Sequence, residues 1–161
     1  MIRLIAAMDL KRGLAKHGYM PWNIPEDEAY FTDQTKTYGG KVLTGGKTFR
    51  DTYKHGPLAG RTNYVLTRNT QLIEGVQLVH DLSAWLPAMG ETDIWVAGGA
   101  DVYEQVIDAN KADELYITHI DADFGCDKFF PEYQTKFRLK NQSKPHFQNG
   151  FNFTYAVYTR S

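Results

Sequence analysis

The segment IRLIAAM at positions 2–8 constrains the fold most, because it holds one charge in seven residues and is apolar at successive positions. A strand of that kind is buried. Residues 9–23 keep no steady period and carry Gly13, Gly18, Pro21 and Trp22, so they read as a loop. A helix is expected from Pro25. Proline suits a first turn, and Glu26, Asp27 and Glu28 face the positive end of the helix dipole. Gly39 and Gly40 stop that helix after about residue 37.

Strands and helices then alternate. Strands are expected at 41–44, 61–67, 76–79 and 94–97. Helices are expected at 45–53, at 82–89 behind an Asp81 cap, and at 100–108, where Val102, Tyr103, Val106 and Ile107 form an apolar face. Strands dominate the remainder, at 115–120 and as an antiparallel pair at 137–139 and 151–158. This order predicts one α/β domain spanning residues 1–161, with a mostly parallel sheet and an antiparallel edge.

Composition narrows the function classes. A net charge of −1 gives no footprint for nucleic acid. No apolar stretch reaches the roughly 18 residues that a membrane span needs, and the N-terminal apolar run is too short for a secretory signal. Cys126 is the single cysteine, which excludes an intramolecular disulfide and fits a reducing cytosol. His17, His55, His80, His119 and His146 lack metal-ligand spacing, and neither Ser83 nor Ser143 sits in a nucleophile motif. Metalloenzyme and hydrolase chemistry therefore have no support, and no metal is expected.

Three features carry chemistry. The sequence TGGKT at 44–48 resembles the end of a phosphate-binding P-loop, but the first glycine of that motif falls on Lys41, so a strict P-loop fails. A glycine turn opening a helix remains, and such a turn offers backbone N–H groups and Lys47 to a phosphate. Gly98 and Gly99 follow a buried strand and precede a helix. They fit either a tight turn or the close approach of a flat cofactor at the carboxyl ends of the strands. Asp27 lies four residues before Phe31, on the same helix face. It fits a carboxylate beside an aromatic wall, for a cationic or amidine-like heterocycle, or simply a first-turn acid.

Taken in order, these segments resemble one family. IRLIAAM at the start, MPWN at 20–23, PEDEAYF at 25–31, GGKTF at 45–49 and LAGR at 58–61 are similar to bacterial dihydrofolate reductases. So are VLTR at 65–68, AGGA at 97–100, Val102-Tyr103, LYITHI at 115–120 and Phe130-Pro131. The resemblance spans nearly the whole chain. It implies an eight-stranded, mostly parallel sheet with an antiparallel C-terminal strand and four main helices. It implies an enzyme that transfers a hydride from NADPH to pterin C6 of dihydrofolate, with protonation at N5; a monomer is the default expectation, and the lone thiol points to the cytoplasm.

The resemblance also implies site residues. Asp27 is the carboxylate for the pterin N3 and 2-amino edge, Thr118 supports it, and Trp22 orders a water nearby. Ile5, Ala6 and Phe31 line the substrate, and Arg61 pairs with the α-carboxylate of its glutamate tail. Ala7, Leu14, Ala97, Gly98, Gly99 and Tyr103 surround the cofactor, with a cis peptide between the two glycines. Gly46, Lys47 and Thr48 meet its pyrophosphate. Thr67 and Arg68 meet the 2′-phosphate, which implies NADPH over NADH. Four positions depart from the pattern. Gly46 replaces a phosphate-touching arginine, Glu28 an apolar residue, and Ala15 a loop position often glycine; Cys126 also differs. A pyrimidine reductase on the same fold is one alternative, but it gives no reason for Trp22, Asp27 and Arg61 to occur together; a catalytically weak binding module that keeps the fold is another, suggested only by Glu28 and the loop changes.

Overall fold

A computed structural model describes residues 1–52 and 56–161. The expected helix end at Tyr53, and His55, lie outside the described residues. The buried segment forms β1 (Ile2–Met8), and two strands, β6 (Ile94–Val96) and β7 (Glu114–Ile120), pair with it in parallel. Beyond β6 come β3 (Lys41–Gly45), β4 (Thr62–Leu66) and β5 (Val76–Val79), all parallel. On the other edge β11 (Phe151–Arg160) runs antiparallel to β7. The free edge of β11 is shared end to end by β9 (Phe137–Gln142) and β10 (His146–Gln148). The sheet thus has nine strands but is eight strand positions wide.

Among the described residues four helices cover it: α1 (Pro25–Thr35), α2 (Gly46–Thr52), α3 (Leu82–Ala88) and α4 (Ala100–Asp108). Helix α1 ends two residues before the expected stop, with Gly39 and Gly40 at positive φ beyond it. The Asp81 side chain accepts from the Ser83 N–H at 3.1 Å and caps α3.

Alternation along β1 divides the core. Leu4, Ala6 and Met8 pack in the larger cluster with Val102, Tyr103 and Val106 of α4. Ile5 packs on the opposite face with Val42, Trp95 and Ala97 under Tyr30 and Phe31 of α1. Successive side chains of a strand point to opposite faces, so a strand apolar throughout needs both layers.

The loop expectation for residues 9–23 is corrected in part. It contains β2 (Gly13–Ala15), paired with β8 (Lys128–Phe129) in a two-stranded ribbon. A three-residue strand starting in glycine carries no readable period. Asp9 organises this region from a buried position, accepting from the N–H groups of Lys11, Gly13 and Phe124. A Cβ on Gly13 would lie 2.7 Å from that carboxylate and 2.6 Å from the Cys126 Cβ, so only glycine fits. Among the described residues no helix is long and apolar enough to cross a membrane.

Candidate active site

The site forms where α1 crosses the carboxyl ends of β1 and β7. Pro25 starts α1, and no side chain of Ile24 caps it. Instead Gln148 of β10 accepts from the Glu26 N–H at 2.7 Å. Asp27 therefore sits in a first turn held from outside the helix. Thr118, buried in β7, donates its hydroxyl to Asp27 Oδ1 at 2.6 Å. Burial raises the Asp27 carboxyl to about 6, against the pull of the Thr118 bond, with Glu28 and Glu26 adding repulsion. Burial disfavours the ionised form of an acid, and like charges do the same. Glu28 itself is exposed, so its effect on Asp27 is through charge, not contact with the cleft floor.

Apolar walls flank the carboxylate. Ile5 and Phe31 lie in one cluster with Trp95, Ala97 and Tyr116. Trp22 is buried among Ile24, Ile120 and Phe153, and its ring meets Phe124 at 5.2 Å. Ala6 lies on the other face of β1. Its side chain packs in the α4 layer, away from Asp27, so only its main chain can border the cleft. Leu14 also packs against that layer. Arg61, past the far end of α1, donates from Nη1 to the Thr35 hydroxyl at 2.9 Å, and Thr35 donates in turn to the Phe31 carbonyl at 2.7 Å. Thr35, fully buried, was not singled out from the sequence; only its place opposite Arg61 reveals it.

The second half of the site is bare backbone. The Gly98–Gly99 peptide is cis. The Gly45 N–H donates to the Gly98 carbonyl at 2.8 Å, which joins the end of β3 to that of β6. A Cβ on Gly99 would stand 2.5 Å from Thr48 Oγ1, and one on Gly98 would stand 3.6 Å from the Tyr103 hydroxyl. Tyr103, buried, donates to the Ile5 carbonyl at 2.6 Å and so ties α4 to β1 beside Ala7. Gly99 caps α4 with no side-chain hydrogen bond. Lys47 in the first turn of α2 and Arg68 just past β4 are exposed, and Thr67 accepts from the Asn69 N–H at 3.0 Å. Bare peptide edges, an uncapped helix start and two exposed cations suit a long, flat, anionic cofactor.

Gly46 explains one departure from the family pattern. A Cβ there would lie 3.2 Å from the Thr67 Cβ and 3.3 Å from the Leu66 carbonyl. A side chain at this position fits only if Thr67 or the Leu66 carbonyl gives way by a few tenths of an ångström. Two small clefts, of about 150 Å³ and about 290 Å³, flank His119, and neither is lined by Asp27, Trp22 or Phe31. No group of three or more metal-ligating side chains occurs among the described residues.

Comparison with known proteins agrees with this geometry. The dihydrofolate reductase family model matches residues 1–160. Dihydrofolate reductase of Buchnera aphidicola is 32% identical, with 99% of each chain covered. A bifunctional dihydrofolate reductase-thymidylate synthase of Arabidopsis thaliana is 30% identical over 98% of this chain, which spans 34% of that protein's length. A solved dihydrofolate reductase from Enterococcus faecalis, complexed with NADP(H) and RAB-propyl, superposes with a TM-score of 0.87 at 28% identity. It covers 100% of this chain and 96% of that one. A family match over residues 1–160, together with the Asp27 carboxylate of α1 held by Thr118 and a diglycine turn after β6, places this chain in the dihydrofolate reductase family.

Proposed function

We propose that the cleft under α1 binds 7,8-dihydrofolate and that the glycine-lined strand ends bind NADPH, giving 5,6,7,8-tetrahydrofolate and NADP⁺ with uptake of one proton. The observation that carries this reading is Asp27, held at 2.6 Å by Thr118 in an apolar setting that raises its carboxyl to about 6. A carboxylate accepts two parallel hydrogen bonds from an N–H and an adjacent amino group, as the pterin N3 and 2-amino edge presents them. The Thr118 bond to Oδ1 fixes the plane of the carboxylate, so that both oxygens can face the edge. Ile5 and Phe31 supply the apolar walls that exclude water, and Arg61, braced by Thr35, faces the glutamate α-carboxylate.

The cofactor supplies a hydride from its nicotinamide. Of this chain's residues, Ala7, Ala97, Gly98, Gly99 and Tyr103 would hold the nicotinamide, Gly46, Lys47 and Thr48 the pyrophosphate, and Thr67 and Arg68 the 2′-phosphate. Hydride arrives at C6 and a proton must reach N5. An ionised Asp27 near the pterin favours the protonated ring, because opposite charges attract strongly where solvent is scarce. The Trp22 indole, buried against Ile24 and Phe124, would order a water beside the pterin. The chain is read as a monomeric cytoplasmic enzyme, in keeping with one free thiol. Initial rates of NADPH loss with dihydrofolate test the assignment. Turnover that requires both compounds supports it, and no turnover with either NADPH or NADH overturns it.

A further inference from the structure

Behind Asp27 lies a polar cluster that the proposed reaction leaves unused. Tyr155 of β11 stands opposite Thr118 of β7. Paired residues of antiparallel strands present their side chains to the same face. Thr118 gives its hydroxyl to Asp27, so Tyr155 is its neighbour on the α1 face. The Tyr155 ring stacks on Tyr30 with centroids 4.0 Å apart. Tyr30 follows Asp27 by three residues and shares its side of the helix. From β10, His146 packs against the Tyr155 ring at 5.1 Å, and its Nδ1 lies 3.0 Å from Glu26 Oε1.

Among the described residues, the Tyr155 hydroxyl is the one buried side-chain oxygen or nitrogen with no hydrogen-bond partner. Native proteins rarely leave such a group unsatisfied, and a bridging water is the usual resolution. Burial first, then the Asp27 and Glu26 carboxylates, push this phenol well above its ordinary value. Tyr155 therefore keeps its proton and has a hydrogen to offer an anion. The titratable groups around the pair are Glu26, Glu28 and Tyr30 on α1, Tyr116 on β7, and His146 on β10. None of these makes a hydrogen bond to the Tyr155 hydroxyl.

We propose that Tyr155 is a positioning residue for Asp27: its hydroxyl donates to one water that donates in turn to the Asp27 carboxylate, while the His146–Glu26 pair holds the tyrosine ring in place. A donor to the charged form of an acid stabilises that form. Tyr155 thus partly opposes the burial that drives Asp27 upward. Its kinetic consequence rests on the reading of Asp27 as the pterin carboxylate; its titration does not.

The test is Tyr155→Phe, which keeps the ring and its stack on Tyr30. Asp27 is titrated in the free protein by carbon-13 NMR of labelled aspartate. Loss of the relay raises the Asp27 midpoint from near 6 by about half to one pH unit. The pH profile of hydride transfer to dihydrofolate moves in the same direction. An unchanged or lowered Asp27 midpoint overturns the proposal, as does a thermal midpoint that rises with no change in titration, because a partnerless hydroxyl is better removed. A wild-type protein with no reductase activity would sink the functional reading and leave the titration result standing.

Discussion

Asp27→Asn separates the demands of the site from those of the fold. The Asp27 carboxyl lies at about 6 in the folded chain against 3.8 for the unperturbed group. Two pH units correspond to about 3 kcal/mol at about 1.4 kcal/mol per unit. Part of that is recovered by local rearrangement and solvent, so a gain of about 2 kcal/mol is expected on removing the charge. The Thr118 hydroxyl can still donate to the asparagine carbonyl, which keeps the contact. The sign follows from proton binding. Between about pH 4 and pH 6 the folded chain holds a proton that the unfolded chain has lost, so stability falls as pH rises through that window. Asn carries no such term. The variant should match the wild type below pH 4 and exceed it above pH 6, by about 4–8 °C in thermal midpoint for a domain of this size. Urea or thermal unfolding across pH 3.5–8 is the assay. An Asp27→Asn protein less stable than wild type at pH 7.5 would refute the claim that the Thr118 bond compensates the burial of this charge only in part.

Two further outcomes follow from the cofactor half. Arg68→Ala should erode the preference for NADPH over NADH by about ten- to a hundredfold, the worth of one charge-assisted hydrogen bond, and should flatten its salt dependence; the ratio of the two Kd values measures it. Gly46→Arg should not restore a family-like phosphate contact. Its Cβ meets Thr67 and the Leu66 carbonyl at 3.2–3.3 Å, so the variant should lose about 1–3 kcal/mol of stability without tighter NADPH binding, as read by urea unfolding and cofactor titration.

Long apolar segments were legible from the start. The successive apolar residues of β1 needed two covering layers, and Ile5 and Leu4 indeed pack on opposite faces. The apolar face of α4 and the Asp81 cap were equally readable. Strands β2, β8 and β10 were not, because two or three residues hold no period and their pairing is set by partners far along the chain. Asp27 shows the same limit at the site. Three acids open α1, and local reading treats Glu26, Asp27 and Glu28 alike. What distinguishes Asp27 is Thr118, 91 residues away, and the burial that comes with it. Ala6 shows a related limit: alternation along β1 turns its side chain away from the face that holds Asp27 and leaves its main chain to border the cleft. Thr35 and Tyr155 stayed hidden because neither hydroxyl belongs to a motif, and each matters only through what the fold sets beside it.

The central claim is that Asp27 acts on the pterin and on nothing else in the reaction. Single-turnover hydride transfer from saturating NADPH to dihydrofolate, compared between wild type and Asp27→Asn at pH 7, tests it most directly. The account predicts a loss of at least about a hundredfold in rate, near 3 kcal/mol of transition-state stabilisation, with the Kd for NADPH nearly unchanged. A variant that transfers hydride at close to the wild-type rate would contradict it.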